Sequence, residues 1–374
     1  MLSDSLQPQP ESTKPNQAVG EAEIADLGVN FSGLQVKDAS PRLEAEGGEL
    51  PFTIQALPLE LIAEIFVAFL SPFPESSPSS GILSPILLCR ICRRWREIAL
   101  STPTLWRAIS LVVDDFDGPD NHNAEKLELL GYWMQRSRTQ PLSLKLASST
   151  SSQVVVPFIE AIVAHCHRWE YLDLLVPFDC LLLLQGEMPL LRELTVGPVD
   201  LRHDITRGVK LFGNAPQLWH ITLRSCFLNS TLRFPWSQIT HLDAHCLYEH
   251  ECTDILRETP LLVACTLCVC CSDDDMVVGP AVPVLPQLQT LILLSQDLDV
   301  RLWLVLDYLT LPALQTLEVA EPCITLVSLA TLAERSKCHL NELLVTEATR
   351  VESAYRDVFP GIQTIRLDGR MMQD

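Results

Sequence analysis

The chain has 374 residues, 47 of them acidic and 27 basic, so that its formal net charge is −20. This length allows two domains, or one domain with an appended module, and the negative charge argues against nucleic acid as a partner, since phosphate binding needs a basic face. The first residues lack the basic and apolar regions of a signal peptide, and no stretch reaches the roughly 18 uncharged apolar residues of a membrane span. We therefore expect no membrane segment, a cytoplasmic or nuclear location, and 13 cysteines that stay free thiols in a reducing compartment.

Residues 1–50 are rich in Ser, Pro, Gln and Glu and hold nine acids against three bases. Such a segment, with few aromatic residues, cannot bury enough apolar surface to fold. We expect a disordered acidic tail there.

Residues 51–110 carry the pattern of two or three short helices. Pro58 suits the first turn of a helix, apolar residues follow it at helical spacing, and the prolines of residues 71–74 end that helix. Ser84 followed by Pro85 predicts a second helix start. The apolar face of this second helix comprises Leu87, Leu88, Ile91, Trp95 and Ile98. Helices of roughly ten residues are marginal alone, so this region needs another surface to cover its apolar residues.

Three motifs in this region carry a resemblance to a known family. They are Leu57-Pro58-x-Glu60-Leu61-Ile62-x-x-Ile65-Phe66, Cys92-Arg93-Arg94-Trp95-Arg96 and Ser101-Thr102-Pro103-x-Leu105-Trp106. Together they resemble the F-box, and the third is typical of the F-box-like proteins that are abundant in mushroom-forming fungi. The resemblance implies binding to a Skp-type adaptor, which links such proteins to a cullin-based ubiquitin ligase. The loop 71–81 is longer and richer in Ser and Pro than a compact F-box needs.

The resemblance also implies which residues face the adaptor, although one sequence does not separate them from residues packed inside the F-box. The set is Leu57, Pro58, Leu61, Ile62, Ile65, Phe66, Leu88 and Trp95. The nearby basic cluster is interpreted as the solvated side of the second helix. It consists of Arg90, Arg93, Arg94 and Arg96.

Residues 111–150 are interpreted as a connector between the F-box and the rest of the chain. Residues 125–136 have helical spacing within it. Leu142, Leu144 and Leu146 alternate with polar residues, as in a half-buried strand.

Residues 151–374 repeat the unit apolar-x-x-apolar-x-apolar, often with proline two positions ahead. The first apolar positions fall at 169, 191, 218, 239, 262, 288, 314, 340 and 362, so they are 21 to 27 residues apart. That spacing is the period of leucine-rich repeats. One such unit cannot bury its own apolar face, but stacked units share a core. The predicted fold is therefore α/β: a small helical F-box followed by an irregular leucine-rich-repeat solenoid with a parallel sheet on its concave side. The Asn/Cys position of the repeat falls on Cys226 and Cys270, for which we expect a structural role.

The residues between the inward positions of each strand face the concave side. Because adjacent strands lie about 4.8 Å apart, His220 is expected beside His241, and Arg224 beside His245. We hypothesise that these residues, with Asp243, form part of a surface that recognises a protein client. The alternative is an ordinary solvated sheet face, since exposed polar residues need no special cause.

Catalytic motifs are missing from the sequence, which has no Gly-rich phosphate loop and no Gly-x-Ser-x-Gly elbow. Cys265 and Cys268 have the spacing of a zinc knuckle, but no second pair lies at a suitable distance. We interpret the cysteines as small buried hydrophobes and expect neither a metal nor a cofactor.

These observations predict a non-catalytic substrate-recognition subunit of a Skp–cullin–F-box ubiquitin ligase. The alternative is a repeat scaffold or sequestering protein whose F-box delivers no client for ubiquitination.

Overall fold

The computed structural model of the protein describes residues 57–114, 122–199, 209–224, 232–270, 283–295 and 300–369. The predicted acidic tail 1–50 and Cys226 lie outside these ranges. The residues in these ranges belong to one compact unit.

Three short helices form the N-terminal part of the described chain, here called the helical module. They are α1 (Leu59–Phe69), α2 (Pro85–Ile91) and α3 (Arg93–Ser101), followed by a 3-10 turn, Pro103–Trp106. As predicted, α1 begins after Pro58 and ends before the prolines of residues 71–74. Ile62, Phe66 and Leu70 recur every fourth residue of this segment and are buried, so one stripe of α1 forms core.

The second predicted helix is interrupted at Cys92. The hydroxyl of Ser84 accepts a hydrogen bond from the amide of Ile86 at 3.3 Å, which confirms the predicted start of α2. The expectation of one continuous helix through Trp95 was wrong, because Cys92 is extended (φ −156°, ψ 169°). Its Sγ accepts a hydrogen bond from the amide of Trp95 at 3.5 Å. The thiol thus caps a new helix, a use of cysteine that apolar spacing does not reveal.

A single sheet of 11 parallel strands, alternating with helices, follows the helical module. Its strands are β1 (Ala108–Val113), β2 (Leu142–Ser148), β3 (Trp169–Val176), β4 (Glu193–Pro198), β6 (His220–Leu223), β8 (His241–Tyr248), β9 (Ala264–Cys270), β10 (Thr290–Ser295), β11 (Thr316–Ala320), β12 (Glu342–Thr346) and β13 (Thr364–Asp368). They stack in chain order. Two short strands, β5 (Val209–Lys210) and β7 (Leu232–Arg233), pair separately.

Helices of unequal length connect the strands. They are α4 (His122–Arg136), α5 (Ser152–Val163), α6 (Phe178–Leu181), α7 (Glu249–Glu258), α8 (Leu302–Asp307), α9 (Leu326–Ser336) and α10 (Glu352–Val358), with 3-10 turns at Cys166–Arg168, Trp236–Gln238 and Glu321–Cys323. The fold is therefore an α/β protein with β–α alternation, consistent with the predicted leucine-rich-repeat-like solenoid. The variable return segments reflect the unequal spacing of the sequence repeats.

The predicted repeat positions lie directly opposite one another across the sheet. Leu194 pairs with Ile221, Ile221 with Leu242, and Leu242 with Cys265. These four side chains are buried, and the residues between them form the other face of the sheet, here called the open face. Stacking therefore gives each strand the apolar cover that its own unit lacks.

The sheet begins earlier than predicted. The second half of β1, then α4 and all of β2, lie in residues 111–150, which were interpreted as a connector. The alternation of Leu142, Leu144 and Leu146 does mark β2, and these residues are buried. β1 reads Ala-Ile-Ser-Leu-Val-Val, which has no clear alternation and no leading repeat motif. The connector is therefore corrected to the first two strands of the sheet.

The Ser- and Pro-rich loop 71–81 covers the outer edge of β1. The amide of Ser110 donates to the carbonyl of Ser77 at 3.0 Å, and Pro78 forms a parallel bridge with Ser110. Edge strands present unpaired backbone groups that attract other chains. The loop that departs from a compact F-box thus supplies a partner for this edge.

Trp106 joins the helical module to the sheet. Its indole N–H donates to the carbonyl of Ala99 in α3 at 2.8 Å, and its ring meets Trp133 of α4 edge-on with centroids 4.9 Å apart. The indole N–H of Trp133 donates to the carbonyl of Ala108 in β1 at 3.2 Å. Both indoles are fully buried, so this pair fixes α3, α4 and β1 together.

Gly197 in β4 provides a test of strand packing. A Cβ at this position would lie 2.6 Å from the carbonyl oxygen of Arg224, so the neighbouring backbone has to move. We expect Gly197→Ala to lower the free energy of unfolding by about 1–3 kcal/mol. Chemical denaturation measures this change.

The matched control is Gly131→Ala in α4, where a Cβ meets nothing within 4 Å. This variant should raise the free energy of unfolding by about 0.5–1 kcal/mol, because alanine is more favourable than glycine in a helix interior. Equal stability of the two variants would contradict the predicted packing at Gly197.

Candidate functional site

Burial separates the residues that the F-box resemblance assigns to the adaptor interface. Ile62, Phe66 and Leu88 are at most 3% exposed, so they form the core of the helical module. Trp95 is half-buried, and its ring centroid lies 4.7 Å from that of Phe66. Leu57 is also half-buried. These five residues therefore contribute chiefly to packing.

The remaining assigned residues, Pro58, Leu61 and Ile65, are exposed. Leu61 is 51% exposed and Ile65 43%, and Phe69, four residues further on, is 44% exposed. Residues four apart lie on one side of a helix. Leu61, Ile65 and Phe69 therefore form an apolar stripe, here called the outer stripe of α1, beside the buried stripe of Ile62 and its partners.

Other large apolar side chains are exposed in the same module. They are Leu59, Ile82, Leu83 and Ile91, with Ile82 74% exposed. Half of the 14 large hydrophobic residues that are exposed in the described chain thus lie between residues 59 and 91. Apolar exposure concentrated in this way marks an interaction surface more than scattered single residues do.

Sequence reasoning missed Phe69 as a site residue, although its spacing from Leu61 and Ile65 was the available signal.

The arginine cluster is only partly a solvated face. Arg93 is exposed and pairs with Glu97 of its own helix at 3.2 Å. In contrast, Arg94 donates to the carbonyl of Leu57 at 3.1 Å, and Arg96 donates to the carbonyl of Cys89 at 2.8 Å. Two of the arginines therefore hold the helical module together, and Arg94 ties the start of α1 to α3.

The second candidate surface lies on the open face of the sheet, at β4, β6 and β8. His220 pairs in register with His241, as predicted. The Nε2 of His220 lies 2.9 Å from Oδ2 of Asp243, and its Nδ1 lies 3.7 Å from Oε2 of Glu193. Parallel stacking thus places one imidazole between two carboxylates. The sequence-based client surface did not include Glu193, which contributes the second of these carboxylates.

The electrostatics of this cluster follow from that contact. The hydrogen bond to Asp243 raises the pKa of His220 above its ordinary value and outweighs burial, which acts in the opposite direction. The same hydrogen bond lowers the pKa of Asp243. Burial, and then the charge of His220, lower the pKa of His241. The cluster therefore favours the protonated form of His220 and the neutral form of His241.

Arg224 reaches a different neighbour from the predicted one. The pairing of β6 with β8 ends at Leu223 and Ala244, one residue short of the expected Arg224–His245 pair. The guanidinium Nη2 of Arg224 lies 3.7 Å from Oδ2 of Asp173 in β3. His245 is exposed on β8. The predicted client residues are thus split between a His220–Asp243 contact and an Arg224–Asp173 contact.

A groove of about 380 Å³ opens between the loop residues 74–76 and the first four strands. Lys145 lies in it, with its Nζ 3.3 Å from Oδ2 of Asp173. Tyr171 lines it too, and its ring meets Phe73 of the loop edge-on at 5.3 Å. Lys145 was missed because its segment was interpreted as a connector. The loop thus shapes one end of the open face as well as covering β1.

Neither protein-family models nor curated proteins match this chain. Among the described residues, no three His, Cys, Asp or Glu side chains are grouped so that they could hold a metal ion. No helix in the described ranges is both long and apolar enough to cross a membrane. The functional argument therefore depends on the two surfaces above.

The His220–Asp243 contact predicts a pH dependence. Because the pKa of His220 is raised and that of Asp243 is lowered in the folded protein, the charged pair stabilises the fold. The contribution of Asp243 is fully present above the ordinary Asp pKa of about 3.9. The contribution of His220 is lost as the pH rises through the folded pKa of His220. We expect Asp243→Asn to lower the pH at the midpoint of the His220 titration. NMR of the imidazole protons as a function of pH measures this midpoint.

The control is Asp254→Asn, which removes an exposed carboxylate that pairs with Arg257 in α7 at 2.8 Å. This variant should leave the His220 midpoint unchanged. An identical midpoint in wild type and Asp243→Asn would show that the contact does not set the protonation of His220.

Proposed function

We propose that this protein is a substrate-recognition subunit of a Skp–cullin–F-box ubiquitin ligase. In this proposal the helical module binds a Skp-type adaptor through the outer stripe of α1, and the open face of the sheet binds a protein client. In this proposal the chain itself catalyses no step of ubiquitin transfer. It contributes proximity, which turns a bimolecular transfer between partners into an effectively unimolecular one.

The observation that carries the proposal is the outer stripe of α1. Leu61 and Ile65 belong to the motif that resembles the F-box, and both are about half exposed although Ile62 and Phe66 of the same helix are buried. Burying the exposed part of each of these two side chains against a partner contributes about 1 kcal/mol to the free energy of binding. A helix with one stripe in the core and a second apolar stripe uncovered is suited to an interface between helices.

The exposed residues of α2 and its preceding loop extend the apolar surface. Ile82, Leu83 and Ile91 lie in or beside α2, so two segments of the helical module offer apolar contacts. Because the core of the module is already filled by Ile62, Phe66 and Leu88, the exposed residues can be changed without removing core packing.

The open face supports the client-binding half of the proposal. Its rows combine charged groups, such as Lys145, Asp173 and Arg224, with half-buried apolar groups such as Ile292 and Leu344. A surface assembled from many strands is wide enough for a protein partner. The His220 cluster lies near the middle of it, at the fifth and sixth strands of the 11.

The adaptor interface is tested by co-expressing residues 50–374 with a Skp-type adaptor and measuring the affinity of the purified pair. We expect the wild type to bind stoichiometrically. Leu61→Ser/Ile65→Ser should bind about 30-fold more weakly, because losing about 1 kcal/mol of apolar burial at each of the two anchors costs about 2 kcal/mol in total. Circular dichroism should show an unchanged fold, since both side chains are exposed.

The matched control is Val327→Ser/Val351→Ser, which removes two apolar side chains that are 75% and 69% exposed near the other end of the sheet. It should bind as the wild type does. A folded wild type that binds no adaptor would contradict the proposal and favour a repeat scaffold. An equal loss in the control would show that the outer stripe is not the interface.

A further inference from the structure

Two thiols meet near the ends of β8 and β9. Cys246 lies in β8 and Cys270 is the last residue of β9, and their Sγ atoms are 2.9 Å apart. Neither sulfur is part of a disulfide bond. Cys246 is only 8% exposed, whereas Cys270 is half-buried and so reaches solvent more readily. Cys270 is therefore the more exposed residue of the pair.

The local backbone explains this approach. β8 and β9 are parallel neighbours, but their register shifts between Ala244 and Leu247, so the residues at 245 and 246 form an irregularity in the ladder. Beyond it, Tyr248 lies opposite Cys270. A residue in such a bulge is freed from the regular alternation, and here the bulge brings the side chain of Cys246 to that of Cys270.

The distance between the sulfurs is close to what a disulfide needs. A disulfide bond is about 2.05 Å long, so the two Sγ atoms have to approach by less than 1 Å. Cys246 lies two residues before Tyr248, the residue opposite Cys270, so the two cysteines are diagonal neighbours across β8 and β9. Forming the bond therefore also requires a local shift of the bulge at residues 245 and 246.

We propose that Cys246 and Cys270 form a reversible disulfide when the protein is oxidised by a peroxide. The Cys270 thiolate attacks one peroxide oxygen, the O–O bond breaks, and after proton transfer the products are a sulfenic acid and one water. The Cys246 sulfur then attacks the sulfenic sulfur, the S–O bond breaks, and the oxygen leaves with two protons as a second water. Two thiols are oxidised and one hydrogen peroxide is reduced.

The bond would connect the strand that carries His241 and Asp243 to its neighbour, immediately before α7. Oxidation would therefore cross-link the irregular part of the open face. This inference is independent of ubiquitin-ligase function, because it depends only on the two thiols and the bulge.

The experiment treats the purified full chain with hydrogen peroxide, blocks the remaining thiols with an alkylating reagent, and identifies cross-linked peptides by mass spectrometry without reduction. We expect one dominant cross-link, between Cys246 and Cys270, that a dithiol reductant reverses. In Cys246→Ser, Cys270 should stop at the sulfenic acid and react with dimedone. In Cys270→Ser, the cross-link should be absent.

Matched controls change cysteines that lie in the same peptides. Cys252→Ser and Cys268→Ser should keep the Cys246–Cys270 cross-link, with folding checked by circular dichroism in every variant. Full alkylation of both thiols after peroxide treatment of the folded wild type would overturn the inference. So would a dominant cross-link that persists in Cys270→Ser.

Discussion

The structure depends on the cover that each strand of a stacked parallel sheet receives from its neighbours. One repeat cannot bury its inward residues, so Leu194, Ile221 and Leu242 are buried only because the strands lie in register. The first strand has no preceding repeat. The helical module and the loop 71–81 take that place, the former through the Trp106–Trp133 pair and the latter through backbone contacts with β1. The module therefore belongs structurally to the sheet that follows it.

This capping role constrains the surface of α1. The stripe of Ile62, Phe66 and Leu70 is used in the core, and a module of three short helices has no further internal surface to cover the adjacent stripe. An apolar outer stripe reduces solubility unless a partner covers it. One stripe of α1 is thus used for packing, and the outer stripe is left for the proposed adaptor interface. The proposed client surface is built differently, since neighbouring strands contribute one or two side chains each.

Much of the fold could be predicted from the sequence, because its signals are local. Proline positions marked the bounds of α1, Ser84 marked the start of α2, and the spaced apolar positions placed the strands from β3 onward. The break at Cys92 was not predictable, because it depends on a thiol acting as a helix cap. The early start of the sheet was missed because β1 lacks alternation. For the site, register placed His220 beside His241, but the direction of the Arg224 side chain and the sorting of Leu61 from Ile62 depend on packing in three dimensions.

The proposed docking surface is tested by hydrogen–deuterium exchange of residues 50–374 with and without a bound Skp-type adaptor. We expect slower exchange on binding in peptides that cover α1 and α2, and unchanged exchange in the strands of the open face, such as β6 and β8. Protection confined to the sheet, or no protection in α1 within a confirmed complex, would contradict the assignment of the outer stripe as the docking surface.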